Sequence, residues 1–373
     1  MGPELTLRRP ILTPKTVLPI FFAVGIIFAP IGGLLLWASS TVQELSIDYT
    51  NCGEAGDTFV QIDDRYVHSS FKSSNTTSRP QWRSETQTVT PQFGVDQEDT
   101  PVCTIQFTLP NDIGPPVYLY YRLTNFYQNH RRYVKSLDLN QLKGRALAGN
   151  EMSNSACSPL ATAEGGKPYY PCGLIANSIF NDTIISPTLV SSSGGQTSQN
   201  YSMTKEGIAW ASDMQLYGET AYSNDDVVPP PNWQKRFPNG YTTDNPIPNL
   251  SEYEEFAVWM RTAGLPTFSK LALRNDADVM VAGTYQIEIY DFFDVKSYGG
   301  TKNLLLSTRT VMGGKNNFLG IAYLVVGALC MVLGVLFTIA HLIKPRKLGD
   351  HTYLSWNNDT APTATTTGRD TER

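Results

Sequence analysis

Histidine is scarce in this 373-residue chain: there are four, and only His68 and His130 lie between its two long hydrophobic runs. Neither has a second histidine at metal-ligand spacing. No G-x-S-x-G elbow, phosphate-binding loop or dinucleotide fingerprint appears. The familiar supports for a serine hydrolase, a nucleotide hydrolase or an oxidoreductase are therefore missing. No two cysteines stand C-x2-C, which argues against a zinc site. The acidic pairs Asp63-Asp64 and Asp225-Asp226 read as surface turns before they read as a cation site. Arg131-Arg132 reads as a solvated or locally paired face before a contact for lipid headgroups. There is no internal repeat. With no catalytic constellation, neither a metal nor a cofactor is expected in this chain.

The two hydrophobic runs dominate what is present. Val17 to Trp37 carries no charge, and Phe318 to Ile343 none until His341. Each is long enough to cross a bilayer core as helix, which takes roughly 20 apolar residues. A hydrogen-bonded helix also satisfies its own backbone in lipid. The expected organisation is an amino-terminal arm (1–16), a first span (17–39), a large domain (40–317), a second span (318–343) and a polar tail (344–373). Arg8, Arg9 and Lys15 precede the first span, and Lys344, Arg346 and Lys347 follow the second. The inner flanks carry Glu44 and Asp48 at one end and a single Lys315 at the other. The positive-inside rule then puts both termini in the cytosol and the middle domain outside it. Residues 41–317 hold 29 acidic and 21 basic side chains, so the chain's negative excess lies in the exported part. A signal peptide cleaved near Ala38 and Ser40 would export the same domain, but signal h-regions run to only about 7–15 residues. The arm, with Pro3, Pro10 and Pro14, is expected to be extended. The tail, rich in Thr, Asn, Asp and Arg, is expected to be disordered and is too long and polar for a lipid-anchor signal.

Cysteines and glycosylation acceptors fit that topology. Of five cysteines, Cys330 sits in the second run as a small packing residue, while Cys52, Cys103, Cys157 and Cys172 fall in the middle domain. Four cysteines in an exported domain read as two disulfides, with three pairings possible. Cys52–Cys103 with Cys157–Cys172 is favoured, because the second pair brackets a loop containing Pro159, Gly165, Gly166, Pro168 and Pro171 that turns back easily. Loop entropy makes each bridge worth about 3–4 kcal/mol. The sequons at Asn75, Asn181, Asn200 and Asn249 all lie in the same domain and read as N-glycan acceptors. Asn358 also begins a sequon, but in the cytosolic tail, where it should stay bare.

The middle domain is long enough for a real core. Phe59–Ile62, Val102–Leu109, Val117–Leu123 and Thr284–Phe293 read as strands. In the last, Tyr285, Ile287 and Ile289 alternate with Gln286, Glu288 and Tyr290. Glu252–Met260 and Arg131–Leu142 read as short helices, and 68–100 and 186–204 as surface loops. The expected fold is a mainly β, antiparallel, sandwich-like ectodomain with helical insertions, plus two transmembrane α-helices. Gly25, Ala29 and Gly33 recur every four residues in the first span, and Gly320, Gly327 and Gly334 every seven in the second. Both sets read as faces for close helix packing. Pro30 is expected to kink the first span unless neighbours absorb the freed carbonyl.

Several long stretches point to one family. They are Leu12-Thr-Pro-Lys-Thr-Val-Leu-Pro19, Phe28-Ala-Pro-Ile-Gly32, Tyr120-Tyr-Arg-Leu-Thr-Asn-Phe-Tyr-Gln-Asn-His-Arg-Arg-Tyr133 and Pro171-Cys-Gly-Leu-Ile-Ala-Asn-Ser-Ile-Phe-Asn-Asp-Thr183. Ile208-Ala-Trp210, Val258-Trp-Met-Arg-Thr-Ala-Gly-Leu-Pro-Thr-Phe268 and Gly313-Gly-Lys-Asn-Asn-Phe-Leu-Gly320 complete the set. From residue 11 to about 343 the chain resembles the cell cycle control protein fifty (ligand-effect modulator) family. Its members are accessory β-subunits of type IV P-type ATPases, the phospholipid flippases.

That resemblance implies a β-sandwich-like ectodomain with two disulfides joined in sequence order. It implies a one-to-one complex with an ATPase α-subunit, contacted through lumenal loops and membrane helices amid the surrounding phospholipids. ATP, Mg and the catalytic chemistry would lie in that partner, and this chain would serve its folding, its exit from the endoplasmic reticulum and its full activity. Expected destinations are the Golgi or trans-Golgi, endosomes or the plasma membrane. The candidate partner-binding residues are Asn125, Tyr127, His130, Arg131, Arg132, Trp259, Arg261, Pro266 and Phe268, with core packing the alternative for each. One departure is Asp291-Phe-Phe-Asp-Val295, where an Asn-aromatic-Pro-Val element is expected, which puts the local turn in doubt. A free-standing receptor with a ligand-binding β domain is the alternative function. A membrane-tethered hydrolase lacks the reactive cluster it needs.

Overall fold

The structure is a computed structural model that describes residues 13–73, 78–192, 199–309 and 313–343. Most of the arm, the polar tail, Asn75 and Asn358 lie outside the described residues. The chain divides into two units, residues 1–37 with 316–373, and residues 38–315.

The first unit is built on two long helices, α1 (Pro14–Ser40) and α8 (Phe318–Ile343), each long and apolar enough to cross a membrane. The helical assignment of α1 runs through Pro19 and Pro30 without a break. Small residues bring the two backbones together. A Cβ on Gly327 would stand 3.1 Å from the Ala29 amide nitrogen, and one on Gly32 would stand 2.9 Å from the Gly320 carbonyl oxygen. Gly25 faces Met331, Gly320 faces Leu36 and Gly334 faces Phe22. Gly33 does not share this face: nothing lies within 4 Å of where its Cβ would be. The reason is the 3.6-residue turn. Seven residues from Gly25 bring Gly32 back to within about 20° of the same face, whereas the eighth carries Gly33 roughly 80° away.

The second unit is the β body. In chain order its strands are β1 (Glu44–Asp48), β2 (Val60–Gln61), β3 (Val67–Ser70), β4 (Gln81–Val89), β5 (Gln97–Leu109), β6 (Val117–Leu123), β7 (Thr183–Ile184), β8 (Thr188–Ser192), β9 (Gln199–Asn200), β10 (Phe268–Asn275), β11 (Gly283–Tyr290) and β12 (Lys302–Thr308). One sheet runs β10-β6-β12-β1-β3; the other runs β2-β4-β5-β11-β8-β9, with β7 also on β11. All named pairings are antiparallel. Inward side chains of both sheets, among them Ile47, Leu119 and Leu306 from one and Ile105, Phe107 and Ile287 from the other, form a single core. In β11 the burial alternates residue by residue, as its sequence pattern dictates.

Short helices α2 (Arg131–Lys135), α3 (Leu139–Leu142), α4 (Gly149–Ser153), α5 (Leu174–Asn177), α6 (Ala211–Met214) and α7 (Glu254–Met260) occupy the long connections. Disulfides join Cys52 to Cys103 and Cys157 to Cys172; Cys330 is free.

Three local expectations need correction. The stretch 68–100 is not all loop, since it contains β4 and the start of β5. β4 hides because only Trp82 and Val89 of its nine residues are buried, so no apolar alternation shows. The stretch 186–204 contributes β8 and β9. The helix expected over Arg131–Leu142 breaks at Ser136, whose Oγ is used twice, donating to the Cys157 carbonyl (3.1 Å) and accepting from the Leu174 amide (2.9 Å). Asp138 then caps the next turn through the amides of Asn140 and Gln141.

Candidate partner interface

Two of the long motifs, centred on 125–133 and 259–268, come together in the β body. The Phe126 amide donates to the Pro266 carbonyl (3.1 Å), the Asn129 carboxamide to the Gly264 carbonyl (3.0 Å), and the Ala263 amide to the buried Gln128 side chain (2.8 Å). Beneath these loops the Phe126 ring sits within 5.4–6.3 Å of Tyr133, Trp259, Phe268, Phe293 and Tyr298. This aromatic nucleus fixes the loops; their charged and apolar tips face outward.

The nine candidates separate accordingly. Trp259 is fully buried, donating its indole N–H to the Ile175 carbonyl at 2.8 Å, so it is a core residue and not a contact. An indole buried in such a nucleus is held by its ring packing and its one satisfied donor. Phe268 and Pro266 are half-buried. Asn125 is exposed but structurally engaged: its backbone is left-handed (φ 55°) and its carboxamide donates to the Tyr298 carbonyl at 2.7 Å. His130 caps α2 by accepting from the Arg132 amide (3.3 Å) while staying exposed. Tyr127, Arg131, Arg132 and Arg261 are exposed. Arg261 stacks on Trp210, 4.7 Å above the ring, and pairs with Asp213.

Sequence reasoning missed two members of this surface. Leu265 is 70% exposed and Trp210 64%, although both lie inside motifs that carried the family resemblance. The signal was available in part: Leu265 stands between Gly264 and Pro266, residue types that mark a turn, and turns lie at the surface.

Lys270 holds the motif at 258–268 from below. It is buried, and its ammonium donates to the carbonyls of Val258 (2.7 Å), Trp259 (2.8 Å) and Arg261 (2.6 Å), closing the carboxyl end of α7. Those carbonyls would otherwise have no intrahelical partner. Burial, with a smaller push from Arg261, lowers the Lys270 pKa to about 7.

A second buried cation explains the departure at 291–295. Lys302 in β12 pairs with the fully buried Asp182 (2.8 Å) and with Asp291, and also donates to the Phe293 carbonyl. Burial alone would lower the Lys302 pKa, but the two carboxylates outweigh it and hold the pKa above its ordinary value. Burial raises the Asp291 carboxyl, as does Asp182, and Lys302 partly offsets both. In place of the expected proline, Asp294 caps the following turn, accepting from the amides of Lys296 (2.9 Å) and Ser297 (3.3 Å). Among the described residues no cluster of three or more His, Cys, Asp or Glu could hold a metal ion.

A two-span anchor, a disulfide-bonded antiparallel body and this motif-built surface define a membrane-anchored binding subunit. The chain belongs to the LEM3 (ligand-effect modulator 3) family, also called the CDC50 family, whose model matches residues 35–347. It is 44% identical over 356 residues to the phospholipid-transporting ATPase accessory subunit CRF1 of Saccharomyces cerevisiae, covering 95% of this chain and 86% of that protein. It is 42% identical over 361 residues to the accessory subunit CDC50 of Chaetomium thermophilum (94% and 88% covered). It is 38% identical over 344 residues to cell cycle control protein 50A of Bos taurus (89% and 84% covered).

Proposed function

We infer that this chain is the non-catalytic accessory subunit of a phospholipid-transporting P-type ATPase, paired one-to-one with a catalytic α-subunit. The observation that carries the reading is the alignment: relatives named as such subunits match along nearly the whole chain, spans and β body together. The physics suits the role. A hairpin anchor holds the body at high effective concentration over its partner's short loops. A subunit that binds only the folded partner stabilises it by mass action, which is how it assists folding and exit from the endoplasmic reticulum.

Both termini are cytosolic in this reading, and the body carries N-glycans at Asn75, Asn181, Asn200 and Asn249. The partner surface is the exposed tip of the two joined loops, Tyr127, His130, Arg131, Arg132, Arg261 and Leu265, extended by Trp210. Aromatic and arginine side chains of this kind carry most of the energy in protein interfaces.

The test is a mild-detergent pull-down of the full chain from its native membrane, with mass spectrometry of what co-purifies. A P-type ATPase near one-to-one supports the reading. A monodisperse, fully glycosylated chain with no large partner overturns it in favour of a receptor. Arg132→Ala and Arg261→Ala should weaken co-purification and leave glycan maturation intact; misfolding instead would mark these residues as structural.

A further inference from the structure

Asn181 differs from the other described sequons in what surrounds it. Its neighbour Asp182 accepts four hydrogen bonds, from the amides of Phe292 (2.7 Å) and Phe293 (2.6 Å), the Tyr49 hydroxyl (2.9 Å) and the Lys302 ammonium (2.8 Å). The backbone at Asn181 is thereby fixed. Its own side chain is half-buried and makes no hydrogen bond among the described residues. It lines an open recess of about 460 Å³. That size falls within the range of small-ligand pockets, about 300–1,000 Å³. A second cavity that Asn181 lines is about 40 Å³, room for a water or two and no more.

The recess has a mixed lining. Phe292 supplies an aromatic ring, Asn232 and Arg236 supply polar groups, and the buried Trp233 and half-buried Tyr298 complete the wall. Asn200, by contrast, stands exposed on the short strand β9.

We propose that the innermost N-acetylglucosamine on Asn181 seats in this recess and forms part of the folded body. The inference rests on residues 40–317 being exported. Attachment replaces one N–H of the carboxamide with a bond to the sugar's anomeric carbon, and the lipid pyrophosphate of the cell's glycan donor leaves. A pyranose has an apolar C–H face that matches the half-buried Phe292 ring. Its acetamido and hydroxyl groups match the polar side chains of Asn232 and Arg236. The order of synthesis agrees. Residues 231–236 and 292–298 follow the sequon in the chain, so a sugar added to the emerging chain is in place before these walls close.

The experiment uses the full chain purified with its partner. Glycopeptide mass spectrometry measures occupancy, and peptide N-glycosidase release is timed at each site before and after denaturation. The expected result is an occupied Asn181 whose release is at least tenfold slower in the native protein, with Asn200 released at similar rates in both states. Asn232→Trp, at an exposed position that lines the recess, should bring native release at Asn181 up to the denatured rate without altering Asn200. Equal native and denatured rates at Asn181 overturn the seating while leaving glycosylation intact. A bare Asn181 beside occupied neighbours overturns the proposal but not export. If every site is bare, the exported-domain reading fails with it.

Discussion

Replacing Lys270 with methionine tests how the candidate interface is held. The substitution keeps the length of the side chain and removes three hydrogen bonds of 2.6–2.8 Å to the carbonyls of Val258, Trp259 and Arg261. An orphaned buried acceptor costs about 1–3 kcal/mol, and relief of the ammonium's desolvation returns part of that. A net loss of about 2–4 kcal/mol is expected at pH 7, which lowers the unfolding temperature by several degrees, at about 2–4 °C per kcal/mol for a domain of this size. The pH profile separates the two effects. Burial places the folded-state pKa at about 7, against an ordinary value of 10.5. Between those values the unfolded chain binds the proton and the folded chain releases it, so stability rises with pH. Below pH 7 both states hold the proton and the curve is flat. The slope contributed by this group is at most about 1.4 kcal/mol per pH unit. Thermal unfolding of the full-length chain and of Lys270→Met, followed by tryptophan fluorescence from pH 6 to 9, should give curves that coincide in slope below pH 7 and diverge above it. Parallel curves throughout would refute the reasoning, because the three carbonyls would then be holding the ammonium charged against burial.

Lys302→Met should strand the fully buried Asp182 carboxylate and cost about 3–5 kcal/mol, read as a lowered unfolding temperature. Asp291→Asn leaves one carboxylate on the ammonium and should cost under about 1 kcal/mol by thermal unfolding. Between the spans, Gly327→Leu should separate the helices, at about 1–3 kcal/mol for overpacking, whereas Gly33→Leu should be tolerated. Proximity labelling between cysteines placed on the two helices would read the difference.

Much of this architecture is legible in the residues themselves. The spans show because their runs are long and uncharged, and β11 shows because its alternation is regular. β4 does not, because a strand with two buried side chains in nine carries no period to detect. Gly33 misleads because a four-residue spacing approximates the helical turn and drifts with each step. The candidate surface is half legible. The family motifs located the two loops but could not separate Trp259, whose ring fills the nucleus, from Leu265, which stands exposed. Nor could it foresee Asp291, which reads as a departure from the family until Lys302, eleven residues on, is seen opposite it.

The sheet order has a consequence in time. β12, the last strand among the described residues, lies between β6 and β1. At 5–20 residues per second, β1 waits on the order of ten to fifty seconds after synthesis for the neighbour that completes its pairing. Until Lys302 emerges, Asp182 has no ammonium and the middle of the sheet is open. The body therefore closes from its centre only once β12 has been made, which makes it a reporter of whether the whole segment between the spans has been delivered.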